Sequence, residues 1–595
     1  MQEYSTYLIR SFYISISLTF AMILFYMFGI GMEILELLYN ISLLSLCDEA
    51  EALYSTIESI TGKSVADITL VSLAYLTTYT PLFFTVAFYA QAKQGKKYTL
   101  LAGGDRADEK TLYNLIAKDA KRTGGDARIF LGKNKRSKGI PILENDEPRS
   151  FFFLGKAGAG KTQGIKNFIK CLLDNPRNDS FVIYERKGDD FISYLYRDGI
   201  DYLFSPNDQR GICWNIFDDI KSDGDLEFLL SIIFPSDNSG GKDNHFDEQA
   251  KILMRAILLH VRDTTPSNKG MIDFFLENAD GLKLRNTLLN SITVQKYGLA
   301  SDVEATLTMR DEALDAQAGS VMATLNRYRS ALKLRSMYYQ EGNFSIKQFI
   351  KEASEGSSKR LFIYNQESQN GEYSLCLNIL LNLLMKETLS LKNDSKRRIW
   401  FILDEVQTLA TASAGMEKVG RGTIKKLGEF LSESRSKGGC VVLATQSLEK
   451  LEDVINKNNL MSLLQLLSTK IIFQYDSPVG AGIISQFIGK QKLEREKVSV
   501  NTTADFGRTT TSTSQNESTE DILLSSELNT LMPLEAYIKY SGYPLTKIQF
   551  EPIQTPKMVE EFIQRDVPFF TTAPTEQKKK TVFSEIENDE LEGLY

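Results

Sequence analysis

Residues 155–162 read Gly-Lys-Ala-Gly-Ala-Gly-Lys-Thr and fit the pattern G-x-x-x-x-G-K-[ST] at every fixed position. The four residues before this stretch, 151–154 (FFFL), are apolar and suit a buried strand. The residues after it, 162–173 (TQGIKNFIKCLL), place four apolar side chains on one helical stripe, namely Ile165, Phe168, Ile169 and Leu172. A strand, a glycine-rich loop and a helix in this order predict a phosphate-binding loop in an α/β fold rather than an ordinary glycine-rich turn.

The residue types in this loop indicate how it would hold ATP. Gly155, Gly158 and Gly160 let the backbone amides curl around the phosphates at the positive end of the helix. Lys161 is expected to bridge the β- and γ-phosphates, and Thr162 is expected to ligate Mg²⁺. The cofactors that the loop indicates are therefore ATP and Mg²⁺.

A second apolar run, residues 399–403 (IWFIL), ends in Asp404 and Glu405 and is typical of a Walker B strand. Asp404 is expected to hold Mg²⁺, usually through water, and Glu405 to orient or deprotonate the attacking water. Neighbouring side chains of a strand point to opposite faces, so both carboxylates can serve one site only if the strand has ended by Glu405. Many strands end in solvated acids, and it is the phosphate-binding loop elsewhere in the chain that favours the functional interpretation.

A third buried strand is predicted at residues 440–444 (CVVLA), and polar residues follow it. The carboxyl ends of parallel strands face the nucleotide, so Gln446 is a candidate sensor of the γ-phosphate, with a plain strand-terminal cap as the open alternative. Arg435 precedes the same strand. It is a candidate trans-acting arginine for a neighbouring subunit's phosphates, although taken alone it resembles any surface arginine.

The composition restricts the classes of protein that fit. The chain has 595 residues, 43% of them hydrophobic, which indicates several globular units. Its net charge of -7 argues against a protein that coats nucleic acid over its whole surface, so any DNA contact is expected to be local. Five scattered cysteines and two histidines favour neither a zinc site, nor a disulfide framework, nor histidine-based catalysis.

The two Walker segments are much farther apart in the chain than one strand crossover needs, which indicates an insertion. Residues 226–349 show helical spacing with little strand pattern, and strand pattern resumes at 360–364 (RLFIY). The Ser/Thr-rich residues 502–519 predict a disordered surface loop, and residues from 559 onward predict a flexible tail.

Two uncharged runs near the N-terminus, residues 12–32 and 68–90, are long enough to cross a bilayer as helices. The loop between them is acidic, whereas Lys93, Lys96 and Lys97 follow the second run, so the positive-inside rule places both termini in the cytoplasm. Buried core helices or a cleaved signal peptide fit these runs less well. The expectation is a two-pass protein of the bacterial inner membrane.

The membrane hairpin and the blocks GKAGAGKT, ILDEVQTLA and ESRSKGGCVVLATQSL, taken in this order, resemble the type IV coupling proteins, and within them the TraD-like branch of conjugation systems. Trp214-Asn215 in ICWNIFDDI and the segment LMPLEAYIKYSGYPLTKIQF look like further landmarks of the family. The resemblance spans roughly residues 1–555. It implies a RecA-like P-loop NTPase core, an all-α domain inserted between the Walker motifs, and a homo-hexamer around a central channel.

The resemblance also implies roles for single residues. Arg435 matches the family's arginine finger, and Gln446 matches its γ-phosphate-sensing glutamine. One departure is visible, because the family tends to show Asp-x-Lys-Gly after its second strand where this chain has Glu185-Arg186-Lys187-Gly188. No family role is therefore carried over to Glu185.

Pattern and resemblance together predict six segments. They are a transmembrane hairpin with a short acidic periplasmic loop (1–97), a membrane-proximal linker with short strands (98–150), the first part of the motor (151–225), an all-α domain (226–349), the second part of the motor (350–558) and a flexible C-terminal tail (559–595).

The leading functional hypothesis is an ATPase that moves single-stranded DNA with its attached relaxase from the relaxosome into a type IV secretion channel. Expected partners are the relaxase, an accessory DNA-binding protein that docks on the tail, and the channel components. Arg421, Lys425 and Lys426 are candidate DNA contacts, with a solvated helix face as the alternative. Export of protein effectors only, and a membrane scaffold that does not hydrolyse ATP, are the competing functions.

Overall fold

The computed structural model describes residues 98–134, 137–235, 242–338, 342, 344–366, 373–410, 417–502 and 509–566. The described residues divide into two compact units: those within 98–102 and 492–520 belong to unit 1, and those within 103–491 and 521–566 belong to unit 2. The predicted membrane hairpin and most of the predicted tail lie outside the described residues. Within the described ranges, no helix is both long enough and apolar enough to cross a bilayer.

The strands are numbered in chain order. They are β1 (Tyr98–Gly103), β2 (Arg106–Ala107), β3 (Ala127–Leu131), β4 (Ile140–Leu143), β5 (Phe151–Leu154), β6 (Ser180–Glu185), β7 (Tyr202–Phe204), β8 (Met309–Arg310), β9 (Ala313–Leu314), β10 (Arg360–Tyr364), β11 (Ile399–Leu403), β12 (Gly439–Thr445), β13 (Thr469–Ile472), β14 (Lys490–Thr502), β15 (Thr509–Asp521), β16 (Glu535–Tyr540) and β17 (Leu545–Gln549).

The α-helices are numbered in the same way, and three short 3₁₀ segments are marked η. They are α1 (Glu109–Thr123), η1 (Glu144–Arg149), α2 (Lys161–Asp174), α3 (Ile192–Leu195), α4 (Ile216–Asp219), α5 (Asp223–Ile233), α6 (Lys242–Thr264), α7 (Asn268–Glu277), α8 (Gly281–Leu289), α9 (Ile292–Lys296), α10 (Ala300–Thr306), α11 (Ala316–Leu332), α12 (Arg335–Tyr338), α13 (Ile346–Ser354), α14 (Ser374–Leu389), η2 (Val406–Leu409), α15 (Glu417–Glu433), η3 (Ser434–Lys437), α16 (Leu448–Ile455), α17 (Lys457–Leu466), α18 (Pro478–Ile488) and α19 (Ser525–Asn529).

Unit 2 is built on a ten-stranded sheet with the order β2-β17-β16-β13-β5-β12-β11-β6-β10-β7. The seven strands from β13 to β7 run parallel, whereas β16 pairs antiparallel with β13 and β17 pairs antiparallel with β16. Parallel neighbours cannot be joined by a tight turn, which is why helices connect them. The sheet order places β12 between β5 and β11, the strands that precede the phosphate-binding loop and the two Walker B acids.

The predicted strands around the nucleotide motifs are confirmed. β5, β10 and β11 have the predicted bounds, and β12 extends the predicted strand by one residue at each end. Helix α2 follows the loop and buries the predicted apolar stripe. These segments are apolar throughout because both faces of a parallel sheet are covered.

Alternate residues of the strands enter two apolar cores on opposite faces of the sheet. On β11, Trp400 enters the core that contains α2, and its ring centre lies 5.3 Å from that of Phe168. Phe401 enters the other core, which contains the helices of residues 223–354 and α14. The P-loop helix and the helical insertion therefore cover opposite faces of one sheet.

Residues 104–134 and 137–150, in the segment predicted as a membrane-proximal linker with short strands, contain the short strands β2, β3 and β4 and pack on the sheet of unit 2. Helix α1 buries Leu112 and Ile116, and the β3-β4 hairpin buries Ile129 in the same core as α2. Strand β2 also joins the ten-stranded sheet beside β17. These apolar runs are short, and besides one another they pack on elements farther along the chain, such as α2 and β17, so local pattern does not place them.

Among the described residues of 226–349, every element apart from the two-residue strands β8 and β9 is a helix. Helix α5 begins three residues before the predicted boundary, at Asp223, where Ser222 and Asp225 form a reciprocal capping box.

Unit 1 contains a three-stranded sheet with the order β1-β14-β15. β15 occupies residues that were predicted to be a disordered loop, so that prediction is wrong for 509–519. The residues of 509–513 read TTTST, and threonine has a high strand propensity because it is branched at Cβ. A polar composition therefore did not prevent strand formation.

Candidate nucleotide-binding site

The phosphate-binding loop runs from the end of β5 into the first turn of α2, and close neighbours fix two of its glycines. Gly160 has a φ of +106°, and a Cβ there would lie 3.1 Å from the Cα of Leu534. A Cβ on Gly155 would lie 2.7 Å from the Cβ of Phe473. A side chain at either position would displace the loop from the sheet, so the loop path depends on glycine.

Contacts from later parts of the chain brace the loop on two sides. The backbone N–H of Lys156 donates to the carbonyl of Gln474 at 2.9 Å, and its Nζ pairs with Asp476 at 2.6 Å. On the other side, the backbone N–H of Leu534 donates to the carbonyl of Ala159 at 2.9 Å. No local motif marks Gln474, Asp476 or Leu534 as partners of the loop, because they meet it only through the fold.

Lys161 begins α2 and is buried, with 5% of its surface exposed. Its Nζ lies 3.2 Å from Oδ1 of Asp404 and also bonds Oε1 of Glu405. The structure therefore brings the lysine of the Walker A motif and both acids of the Walker B motif together at the carboxyl edge of the sheet.

The backbone at Glu405 explains how two adjacent carboxylates reach one point. β11 ends at Leu403, and Glu405 takes a left-handed conformation with a φ of 52°. Such a conformation costs a residue with a side chain about 1–3 kcal/mol. Thr408 stabilises it, since its backbone N–H and its hydroxyl donate to the Glu405 carbonyl at 2.8 and 2.7 Å. The hydroxyl of Tyr184 lies 2.8 Å from that of Thr408 and fixes it in turn.

Gln446 follows β12, the strand between the other two parts of the site. Adjacent strands lie about 4.8 Å apart, so a side chain at the tip of β12 can reach the tips of β5 and β11. The Gln446 amide donates to Oε1 of Glu405. This contact favours a role in the site over a plain strand cap.

Gln407 is a further polar contact of Glu405 that the sequence analysis missed. Its amide Nε2 donates to Oε2 of Glu405. Its neighbours Val406, Leu409 and Ala410 are all buried and apolar, so a lone glutamine between them was the available signal. Polar residues within such a segment are expected to have hydrogen-bond partners.

Burial and charge act in opposite directions on the two acids. Burial raises the pKa of Asp404 above its ordinary value, because Lys161 only partly offsets the loss of water. At Glu405 burial also acts to raise the pKa, but the ammonium of Lys161 and the amides of Gln407 and Gln446 outweigh it, so the pKa is lowered. Glu405 is therefore held as a carboxylate.

The residues present fit a magnesium ion. Thr162 has a hydroxyl in the first turn of α2, and the buried carboxylate of Asp404 pairs with Lys161, the residue before Thr162. Both are hard oxygen donors, and Mg²⁺ in phosphate-binding sites completes its shell with phosphate oxygens and water.

Arg435 is not brought to this site within one chain. It is exposed and lies in η3, at the amino end of β12. The seven residues of β12 span about 20 Å, and Gln446 follows the opposite end of the strand. Arg435 therefore lies at the edge of the sheet opposite to the phosphate-binding loop of its own chain.

The two landmark residues after β7 have structural contacts. The indole N–H of Trp214 donates to Asp219 at 2.9 Å, and the side chain of Asn215 caps α4 by accepting from the backbone N–H of Phe217. Asp219 also accepts from the backbone N–H of Ile346 at 3.0 Å. These contacts join the segment before the helical insertion to α13, the helix near its end.

Glu185 ends β6, next to the Walker B strand, and is buried. Its carboxylate accepts from the backbone N–H groups of Phe191 and Ile192 at 3.0 and 2.7 Å. Burial raises the pKa of Glu185 to about 8, although these two donors oppose the rise. The side chain anchors the loop that follows β6.

The candidate DNA-contacting residues on α15 differ in exposure. Arg421 and Lys425 are exposed, whereas Lys426 is half-buried with its Nζ 4.3 Å from the ring centre of Phe228. Lys426 packs against the helical insertion, so Arg421 and Lys425 are the two candidates whose side chains are exposed to solvent.

Comparison with known proteins gives concordant results. Residues 134–551 match the family model of the type IV secretion-system coupling protein DNA-binding domain. Over 491 residues the chain is 25% identical to coupling protein TraD of Escherichia coli (strain K12), covering 82% of this chain and 63% of that protein. The chain thus spans less than two thirds of the length of this relative.

Solved structures of the plasmid coupling protein TrwB share the fold. An unbound form has a TM-score of 0.63 at 19% identity, covering 79% of this chain and 99% of that one. Its complex with the ATP analogue ADPNP has a TM-score of 0.62 at 20% identity, covering 79% and 98%. Its complex with ADP and Mg²⁺ has a TM-score of 0.61 at 20% identity, covering 78% and 98%.

Proposed function

Because the chain belongs to the family of type IV secretion-system coupling proteins, we propose that it hydrolyses ATP to move single-stranded DNA, with its attached relaxase, from the relaxosome into a secretion channel. The observation that carries the ATPase proposal is the meeting of Lys161, Asp404, Glu405 and Gln446 at one edge of the sheet. A phosphate-binding loop, a metal-binding acid and an acid that activates water are the parts that ATP hydrolysis requires.

Each side chain has a separate task in this proposal. Lys161 binds the β- and γ-phosphates, so its ammonium moves from the two acids toward the nucleotide. Thr162 and Asp404 would hold Mg²⁺, which would offset the negative charge of the phosphates. Glu405 orients the attacking water and accepts its proton. Gln446 contacts Glu405 and follows the strand next to the loop, so it is placed to report whether the γ-phosphate is present.

The exposed position of Arg435 supports a proposal about assembly. Since Arg435 lies at the edge of the sheet away from its own loop, it can act on phosphates only in a neighbouring subunit. We propose that subunits form a ring, a homo-hexamer around a central channel, in which Arg435 of one subunit completes the site of the next.

The proposed location is the bacterial inner membrane, with two spans at residues 12–32 and 68–90 and both termini in the cytoplasm. The support is the length of the two uncharged runs, the acidic loop between them and the lysines that follow the second run. In this arrangement the nucleotide site faces the cytoplasm, where ATP and the relaxosome are found.

The proposed partners are single-stranded DNA, the relaxase, an accessory DNA-binding protein that docks on the tail from residue 559, and the channel components. The matched family model is described as a DNA-binding domain, and the exposed Arg421 and Lys425 offer positive charge to a phosphate backbone.

The test is ATP hydrolysis by the full chain in detergent or lipid nanodiscs, with and without single-stranded DNA. Lys161→Ala and Glu405→Gln are the matched variants. The proposal expects DNA to stimulate hydrolysis in the wild type and neither variant to respond. A hydrolysis rate that does not change with DNA would favour an ATPase that exports protein effectors only. Absence of hydrolysis under any condition would favour a membrane scaffold that does not hydrolyse ATP.

A further inference from the structure

Gln407 is an amide with 6% of its surface exposed, and it lies two residues after Glu405 in η2. Its Nε2 donates to Oε2 of Glu405, and its Oε1 accepts from the hydroxyl of Thr445 at 2.7 Å. Thr445 is the last residue of β12, directly before Gln446. Gln407 therefore links the Walker B acid to the neighbouring strand.

The two oxygens of the Glu405 carboxylate have different partners. Oε1 receives the ammonium of Lys161 and the amide of Gln446, whereas Oε2 receives Gln407. Both partners of Oε1 have a second task at the phosphates in the proposed function. Gln407 has no such task, because its other end is held by Thr445.

We propose that Gln407 is a positioning residue that holds Oε2 of Glu405 and thereby leaves Oε1 directed at the attacking water. This inference rests on the proposed ATPase function and adds a residue to it. The amide keeps the carboxylate in one orientation when Lys161 and Gln446 turn to the nucleotide. A fixed orientation matters because a small misplacement of a catalytic group can lower a rate a hundredfold.

A purely structural role for Gln407 predicts a different result. Loss of a buried hydrogen-bond partner lowers stability in either case. Only a positioning role also predicts a lower kcat with an unchanged KM for ATP, because in this proposal the amide bonds Glu405 and Thr445 and is not a ligand of the nucleotide. A positioning role further predicts that the effect disappears when Glu405 no longer carries a carboxylate.

The first experiment compares Gln407→Met with the wild type in the full chain. Methionine is close to glutamine in length and flexibility, but it does not donate to Glu405. We expect kcat to fall by about tenfold or more and KM for ATP to stay within about twofold. Gln407→Glu keeps an acceptor for Thr445 and places a second carboxylate against Glu405, so its kcat should fall at least as far.

Asn382→Leu is the control for loss of a buried amide. Asn382 is 1% exposed and donates to the carbonyl of Asn378 and the hydroxyl of Thr423, on helices α14 and α15. The control should lose stability and keep the wild-type kcat.

The second experiment places Gln407→Met in the Glu405→Gln background and measures single-turnover rates. The double variant should match Glu405→Gln alone. A wild-type kcat in Gln407→Met, or a further loss of equal size in the Glu405→Gln background, would overturn the inference. Absence of hydrolysis in the wild type would instead count against the proposed function.

A structure of Gln407→Met with the ATP analogue ADPNP bound, in which Lys161 and Gln446 are engaged by the nucleotide, provides a measurement that does not depend on turnover. The Glu405 side chain is expected to leave its wild-type orientation, because its Oε2 loses the donor that holds it. An unchanged orientation of the Glu405 carboxylate overturns the inference whether or not the protein hydrolyses ATP.

Discussion

Lys161 and Glu405 form a hydrogen-bonded ion pair although they lie 244 positions apart in the chain. The lysine begins the helix after the phosphate-binding loop, and the glutamate follows the Walker B strand. The same ammonium group lies 3.2 Å from Asp404, so a single buried cation offsets two carboxylates. Removing this cation leaves like charges together where little water reaches them.

Lys161→Met should therefore lower the free energy of unfolding by about 2–3 kcal/mol. Lys156→Met in the same loop is the control, because the Lys156–Asp476 pair is exposed by 38% and 53%. Exposed pairs contribute about 0–1 kcal/mol, so the control should change little. Denaturant unfolding of the two variants checks the prediction, and equal losses would contradict it.

The local parts of the site could be predicted from the sequence. The loop, its flanking strand and helix, and the Walker B strand are each specified by residues that are close together in the chain. Both strands have the predicted bounds, and the helix extends the predicted one by one residue at each end. Such a motif can be recognised in the sequence because the glycines, the lysine and the helix N-terminus that bind phosphate lie within a few residues of each other.

The parts that arise from tertiary contacts could not be predicted. The turn at Glu405 depends on Thr408 and Tyr184, and no pattern in the sequence indicates a left-handed residue there. The link from Gln407 to Thr445 exists only because β12 lies beside β11. The burial of α1 and of the β3-β4 hairpin likewise depends on α2 and on strands far along the chain.

A buried ion network at the other edge of the sheet gives a second stability prediction. Arg128 donates to both Glu147 and Asp179, and the arginine and its partners are 3%, 0% and 4% exposed. Arg128→Met should lower the free energy of unfolding by about 3–5 kcal/mol, because it leaves Asp179 buried without this cation and Glu147 with Arg398 as its remaining cation.

The control for this network is Arg255→Met. Arg255 pairs with Glu227 at 2.6 Å, but both side chains are partly exposed, at 36% and 45%. Its loss should cost less than about 1 kcal/mol. Thermal or denaturant unfolding compares the two variants, and a small effect of Arg128→Met would show that the network is not what holds this edge together.

Glu449 leads to a prediction about pH. Burial acts to raise its pKa, but hydrogen bonds from the side chains of Ser477, Tyr475 and Ser447 lower it to about 2, from an ordinary value of 4.5. A depressed pKa means that the contribution to stability is complete above the pKa of the unfolded chain and is lost as pH falls toward 2.

Glu449→Gln should therefore lower the free energy of unfolding by about 1–2 kcal/mol at pH 7, a figure reduced for partial exposure of the site. The difference from the wild type should shrink steadily between pH 4.5 and pH 3. Denaturant unfolding across this range checks the prediction. A difference that stays constant with pH would assign the effect to lost packing and not to charge.

The exposed Arg435 gives a prediction about complementation between subunits. Arg435→Ala should bind ATP as the wild type does and hydrolyse it at least tenfold more slowly, because the arginine stabilises charge only in the transition state. Lys161→Ala fails at its own site but still carries Arg435. Mixing the two defective variants should raise the activity above the sum of their separate activities, since a subunit with Lys161 intact can then receive Arg435 from a Lys161→Ala neighbour.

The mixing experiment separates a trans-acting arginine from one that only stabilises its own chain. If Arg435 served the fold of its own subunit, each variant would stay defective in the mixture, and the activity would equal the sum of the separate activities. Lys437→Ala, two residues along in η3, is the matched control and should remain active by itself. Recovery that rises with the fraction of mixed rings would identify the exposed edge near η3 as the surface that completes the neighbouring site.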